Sequence, residues 1–126
     1  PANKGAIRSV AIGYDGSAGA AHALSAVRNY LSELLTAVHA IYVREGGVGD
    51  PNPLEDVAEH MDGCNVQAHV VDGDNVHESL AKTAHETGAD VLALGFRGRN
   101  RMRDFLFGSA TEYIVLNTDL IILVAH

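Results

Sequence analysis

The stretch Val91–Thr111, VLALGFRGRNRMRDFLFGSAT, decides how the rest of this chain is interpreted. It opens with an apolar, strand-like run, continues into a basic loop punctuated by glycines, and closes at Gly108–Thr111 with the start of a predicted helix. Gly95 and Gly98 carry no Cβ, so the backbone can turn tightly there and approach a ligand closely. A helix start leaves backbone N–H groups unpaired, and the helix macrodipole favours negative charge beside them. The stretch therefore predicts an anion site, with phosphate as the expected guest.

The distribution of charge agrees with a phosphate site. The chain has a formal net charge of −7 and nine basic residues. Four of them stand in this one loop, namely Arg97, Arg99, Arg101 and Arg103. A nucleic-acid surface would spread its basic charge more widely, so we expect a small phosphorylated ligand and no nucleic-acid partner. For the last three arginines a merely solvated loop is the alternative.

Composition predicts an ordinary globular protein. The 126 residues are 47% hydrophobic, with 13 glycines and three prolines, and we expect a single domain over 1–126. No apolar run reaches the roughly 18 residues of a membrane span, and the opening PANKGAIRSV has no signal-peptide core. The one cysteine, Cys64, cannot form an internal disulfide. These features predict a cytoplasmic protein without a membrane span.

Strand-like and helix-like segments alternate along the chain. Apolar, β-branched runs predict strands at Ile7–Tyr14, Thr36–Val43, Asn65–Val71, Asp90–Gly95 and Leu120–Ala125. Helical periodicity and end signals predict helices from Asp15 or Ser17 to about Leu35, over Leu54–Met61, over Val76–Thr87 with Gly88 as C-cap, and from Gly108 to about Asn117. Glycines and prolines make 45–53 a loop. Strict alternation indicates a parallel sheet with helices on both faces.

In open parallel sheets, ligands bind at the carboxyl ends of strands, where the strand order reverses. Two glycine-bearing strand ends are candidates: Gly13–Ser17 after the first strand and Gly95–Gly98 after the fourth. If the first and fourth strands are neighbours, these two loops form one crevice, and the helix that starts near Gly108 closes its phosphate end.

The glycine spacing resembles that of a known family. Gly95-x-x-Gly98, nine residues, then Gly108-Ser109 resembles the Gly-x-x-Gly-x9-Gly-Ser/Thr nucleotide signature of universal stress proteins. The first-strand motif Ala11–Ser17 and the terminal apolar strand fit the same family. The resemblance implies a single-domain, Rossmann-like α/β fold of the adenine nucleotide alpha hydrolase type, with a five-stranded parallel open sheet of order 3-2-1-4-5. It also implies a homodimer formed through Leu120–Ala125, in a stress-response or regulatory role with an unidentified protein partner.

The same resemblance implies a set of ligand-binding residues for ATP or AMP. Asp15 would lie at the ribose and metal side, and the backbone of Val43 would meet the adenine edge. Ribose and phosphates would be held by the glycine signature and its neighbours, namely Gly95, Arg97, Gly98, Gly108, Ser109, Ala110 and Thr111. Any metal is expected to be Mg²⁺ or Mn²⁺ arriving with the phosphates.

Enzymatic turnover of the nucleotide is the other interpretation that remains open. The chain has no Gly-x4-Gly-Lys-Ser/Thr loop and no nucleophile elbow, so we assign no catalytic residue and expect at most slow ATP hydrolysis. The rival hypothesis is a nucleotide hydrolase or transferase of a related α/β fold that uses Asp15 and a metal.

The seven histidines show no metal-ligand spacing and are interpreted as ordinary surface or core residues, so no dedicated metal site is expected.

Overall fold

The computed structural model describes residues 7–14, 18–31, 33–34, 36–44, 54–61, 63–95 and 108–125. Within these ranges the chain forms five strands and four helices. The strands are β1 (Ser9–Gly13), β2 (Ala37–Arg44), β3 (Asn65–Asp72), β4 (Val91–Gly95) and β5 (Ile121–Ala125). The helices are α1 (Ala18–Tyr30), α2 (Glu55–His60), α3 (Val76–Glu86) and α4 (Ser109–Asn117). Strands and helices alternate, as the sequence pattern predicts.

The five strands form one parallel sheet in the order β3-β2-β1-β4-β5. The predicted fold class and strand order are therefore confirmed. β1 stands at the centre, with Ile12 opposite Ala40 of β2 on one side and Ala93 of β4 on the other. The chain moves outward from β1 to β3, then crosses back to β4 and moves outward in the other direction. The strand order consequently reverses between β1 and β4.

Both faces of the sheet are covered, because successive strand residues point to opposite faces. Even-numbered residues of β1, such as Val10 and Ile12, pack with α1 and α2 in one apolar cluster. On the other face Ala11 packs with Leu92 and Leu80, in the cluster formed by α3 and α4. The central strands are accordingly almost fully buried, which accounts for their near-continuous apolar sequences.

The ends of α3 follow from specific residues. The side chain of Asn75 caps the first turn by accepting a hydrogen bond from the Glu78 backbone N–H, at 3.0 Å. At the other end Gly88 has φ of +75°, the left-handed conformation that suits glycine, and its N–H donates to the His85 carbonyl. The predicted glycine C-cap is confirmed.

The predicted end of α1 is wrong. The sequence pattern extends this helix to about Leu35, whereas α1 ends at Tyr30. Tyr30 is 81% exposed and Leu34 is 56% exposed, so a longer helix would bury little more apolar surface there. Thr36 must also reach the start of β2, where its N–H donates to the Arg8 carbonyl. Leu31, Glu33 and Leu34 lie in turn conformation where the last predicted helical turn would be.

Candidate functional site

The candidate site lies at the carboxyl edge of the sheet, between β1 and β4. The two strands pair directly, with Val10 opposite Val91 and Ile12 opposite Ala93. The predicted adjacency of the first and fourth strands is thus confirmed. The next described helices, α1 after β1 and α4 after β4, pack on opposite faces of the sheet. Such a reversal of strand order is where open parallel sheets bind ligands.

The backbone of Val43 points toward β1 at this same edge of the sheet. Backbone groups of successive strand residues point alternately to the two neighbouring strands. The Ile41 carbonyl accepts from the Tyr14 N–H at 2.9 Å, on the β1 side, whereas the Arg44 carbonyl accepts from the Gly73 N–H at 3.1 Å, on the β3 side. Val43 has the same parity as Ile41, so its N–H and C=O point toward β1. The paired register of β1 ends at Gly13, opposite Ile41. Val43 therefore presents one donor and one acceptor beyond the last paired residue of β1.

Gly95, at the end of β4, has a packing role. A Cβ placed on Gly95 would overlap the backbone carbonyl of Gly19, in the first turn of α1, and would lie 3.0 Å from the Ala20 nitrogen. Glycine at this position lets α1 sit directly against the end of β4. The sequence pattern predicts a ligand contact for Gly95, and the contact with Gly19 adds a structural reason that the sequence does not reveal.

The start of α4 also lies at the carboxyl edge. β5 is parallel to β4, and only three residues separate the end of α4 from β5, so α4 must run back across the sheet from that edge. Gly108 precedes the helix with φ −67° and ψ 139°, and its carbonyl accepts the first helical bond from the Glu112 N–H at 2.9 Å. The first-turn N–H groups of Ser109, Ala110 and Thr111 have no intrahelical acceptor and point out of the helix end. This arrangement suits an anion.

Several predicted site residues lie outside the part of the chain that the structure describes. These are Asp15, Arg97 and Gly98, together with the other loop arginines. The backbone of Ser109, Ala110 and Thr111 forms the start of α4. Val43, Gly95 and Gly108 are the predicted site residues that lie within the described ranges with their burial.

An ion pair borders the site beside Val43. Arg44 and Asp72 stand opposite each other on β2 and β3, and the guanidinium donates to the carboxylate through Nε at 2.9 Å and through a terminal nitrogen at 3.1 Å. The two-point contact fixes the orientation of the Arg44 side chain. It also offsets the arginine charge, so Arg44 adds little net positive charge to this edge.

Sequence reasoning missed one arrangement of polar side chains. Nδ1 of His39 on β2 and Nε2 of His69 on β3 lie 3.0 Å apart, and the ring centroids are 5.2 Å apart. Burial, and then the neighbouring His69, lower the pKa of His39 below its ordinary value of 6.5. The sequence shows that both residues have odd numbers within predicted strands, which is compatible with a shared face of the sheet. Whether the two rings meet depends on the strand register. Within the described ranges, no group of three or more metal-ligating side chains is found.

The fold is that of an open, doubly wound α/β protein whose strand order reverses between β1 and β4. The sequence matches the Universal stress protein family over residues 6–126, and the chain belongs to this family. None of the described helices is long and apolar enough to cross a membrane.

Individual relatives agree with this assignment. Universal stress protein MJ0577 of Methanocaldococcus jannaschii is 28% identical over 75 residues, which are 58% of this chain. The match spans about half of that protein, 46% of its length. Its solved structure aligns with 94% of this chain and 95% of its own, at a TM-score of 0.69 and 20% identity.

Two other solved structures have the same fold. A universal stress protein in complex with cAMP aligns at a TM-score of 0.68 and 18% identity, over 96% of this chain and 98% of its own. A protein of the universal stress protein family from Burkholderia pseudomallei aligns at a TM-score of 0.65 and 20% identity, over 94% of this chain and 95% of its own. These likenesses establish a shared fold.

Proposed function

We propose that this chain is an adenine-nucleotide-binding regulatory protein of the universal stress family, with ATP or AMP as its ligand. The observation that carries the proposal is the backbone of Val43, whose N–H and C=O point toward β1 beyond the last paired residue of that strand. Binding would alter a dimer or an exposed surface that a partner protein reads. A related protein of the same fold has been solved with cAMP, itself an adenine nucleotide, which supports the ligand class.

The base would bind at the β2 side of the crevice. The Watson–Crick edge of adenine carries an amino donor beside a ring-nitrogen acceptor, which matches one C=O and one N–H of the same residue. Val43 offers that pair, while its side chain packs against the apolar cluster beneath α3. Recognition through the backbone explains why an apolar residue can be assigned to a polar contact. Asp15, on the segment that follows β1, is proposed for the ribose and metal side.

The phosphates would bind at the β4 side. The N–H groups that begin α4 favour an anion, and Gly108 keeps the approach to them free of a Cβ. Arg97 and Gly98, in the segment between β4 and α4, are proposed to contact the same phosphates, together with the Gly95 backbone. Ser109, Ala110 and Thr111 complete the proposed set. A phosphate-bound Mg²⁺ or Mn²⁺ is compatible with this arrangement, because such ions take most of their ligands from phosphates, water and one or two carboxylates.

Nucleotide binding can be tested with one substitution and a matched control. The backbone angles of Gly108 are open to any residue, so Gly108→Val is expected to fold and to block the start of α4. Ala68→Val makes a similar change of side-chain size at an exposed position of β3, the edge strand farthest from β5. Equilibrium dialysis with ATP and AMP should give at least about tenfold weaker binding for Gly108→Val and unchanged binding for Ala68→Val. Equal affinities in two folded variants would contradict the assigned site.

The rival function is turnover of the nucleotide by a slow ATPase or by a hydrolase or transferase. Mass spectrometry of the nucleotide released from freshly purified protein, repeated after incubation with Mg²⁺ and ATP, separates the two functions. Recovery of ATP or AMP over hours supports a binding protein. Rapid formation of ADP supports the enzyme. Absence of any nucleotide, with no uptake of added ATP, would refute both.

We also propose a homodimer through Leu120–Ala125, with residues 1–126 forming one domain in each subunit. β5 is an edge strand whose one partner among the described strands is β4. Ile121 is 48% exposed, and Tyr113 and Leu116 of the neighbouring α4 are also exposed. An apolar edge of this kind is stabilised by pairing with a second copy. Sedimentation equilibrium should give twice the chain mass, and a monomer at micromolar concentration would contradict the proposal.

A further inference from the structure

The histidine pair joins an edge strand to the sheet. β3 pairs with β2 and lies at one end of the strand order. His39 is 9% exposed and is the one buried polar side chain among the described residues, whereas His69 is half-buried. Gln67 stands directly opposite His39 in the register, and His69 is its diagonal neighbour on the same face. The imidazole contact therefore adds a side-chain link to the backbone pairing of β2 and β3.

The short distance determines how many protons the pair can hold. With the two ring nitrogens 3.0 Å apart, one must donate and the other must accept. A second proton would place an N–H on both facing nitrogens and two positive charges on adjacent rings. That form loses the hydrogen bond and adds repulsion between like charges. The folded pair therefore takes up the second proton less readily than two independent histidines do.

The surroundings offer little to stabilise the doubly protonated form. Ala11 of β1 stands opposite His39, and the residues of α3 that are buried toward this face are apolar, namely Leu80, Ala81 and Ala84. The other titratable side chains described on α3 and α4 are exposed, namely Glu78, Lys82, His85, Glu86, Glu112 and Tyr113. Arg44 and Asp72 are even-numbered and lie on the opposite face from the pair. The charge on His39 would have to be held in an apolar environment.

We propose that His39 and His69 form a proton-operated latch, which holds the edge strand β3 against β2 at neutral pH and releases it on acidification. The lowered pKa of His39 gives the sign of the effect. Below the ordinary histidine pKa of 6.5 the unfolded chain binds more protons than the folded chain, so stability falls as the pH falls. The latch stabilises the protein fully above that pH and progressively less below it. This proposal is independent of nucleotide binding.

The latch can be tested by urea unfolding of the nucleotide-free protein at pH 7.5 and pH 5.0. His39→Gln keeps a hydrogen-bonding side chain in place of the buried imidazole and does not titrate, and His85→Gln removes an exposed histidine of α3 as a control. Between the two pH values, the unfolding equilibrium constant of the wild type should rise at least about tenfold more than that of His39→Gln. His85→Gln should follow the wild type. Equal pH dependence of the wild type and His39→Gln would overturn the latch, because loss of a contact alone lowers the free energy of unfolding by the same amount at both pH values.

A second measurement uses the wild type alone and does not depend on whether the variant folds. Amide hydrogen exchange, corrected for the intrinsic pH dependence of exchange, reports local opening of each strand. On acidification to pH 5.0 the amides of β3 should lose at least about tenfold more protection than those of β4, an interior strand between β1 and β5. Parallel changes in β3 and β4 would mean that the histidine pair does not control the edge strand.

Discussion

Replacement of Gly95 by alanine should destabilise the fold even without a ligand. The new Cβ would overlap the Gly19 carbonyl at the start of α1, so α1 would have to move away from β4. Overpacking in a well-packed core costs about 1–3 kcal/mol. The obstructing atoms belong to backbone rather than to a rotatable side chain, so we expect about 3 kcal/mol, at the upper end of this range.

Gly13→Ala provides the matched control. Its Cβ would approach Leu94 Cδ2 at 2.8 Å and Leu80 Cδ2 at 3.1 Å, and both are the ends of flexible side chains. Rotation of these side chains away from ideal rotamers costs about 0.5–1.5 kcal/mol, so Gly13→Ala should lose about 1 kcal/mol.

The comparison requires urea unfolding of protein from which bound nucleotide has been removed, since a ligand would itself stabilise the folded state. With a denaturant slope of about 1–3 kcal/mol/M, a loss of about 3 kcal/mol lowers the unfolding midpoint by about 1 M or more. If Gly95→Ala unfolds no earlier than Gly13→Ala, α1 does not pack against β4 in the way the structure shows, and the packing role of Gly95 is refuted.

Two further predictions test the packing and the electrostatics of the sheet. Leu92 is fully buried under α3, so Leu92→Ala should lower the free energy of unfolding by about 2–5 kcal/mol, and a loss below 1 kcal/mol in urea unfolding would contradict a close-packed core there. The side chains of Arg44 and Asp72 are 34% and 58% exposed, so a double-mutant cycle should give a coupling of about 0.2–1 kcal/mol that decreases in 1 M NaCl. A coupling that salt leaves unchanged would contradict solvent screening of this pair.

The order of elements could be predicted because each one carries a local signal. Apolar β-branched runs marked the strands, and a glycine with positive φ ended α3 where the sequence placed its C-cap. Strict alternation then indicated a parallel sheet, and the adjacency of β1 and β4 followed from the strand order of the resembled family. The end of α1 could not be predicted in this way. Its periodic leucines continue past Tyr30, and only the position of β2 shows that the chain must turn there.

Contacts between distant segments were not predictable from local signals. His39 and His69 are 30 residues apart, and they meet because β2 and β3 pair with an offset of 28 residues, as in Ala37 opposite Asn65. The sequence gives the two strands but not that offset, which depends on the path of the intervening chain. The contact of Gly95 with Gly19 has the same origin, since nothing near Gly19 in the sequence marks it as the neighbour of β4.

Gly95 and Gly108, two glycines of the nucleotide signature, are therefore subject to different physical constraints. Gly95 is required by the packing of α1, so a bulky residue there would weaken the proposed nucleotide binding even if no ligand touched it. Gly108 adopts angles that any residue can adopt, and its backbone alone does not require glycine. A loss of binding on substitution of Gly108, with the free energy of unfolding unchanged, would locate the ligand at the start of α4. The same loss on substitution of Gly95 would not distinguish a ligand contact from a displaced helix, so the test of the nucleotide site has to rest on Gly108.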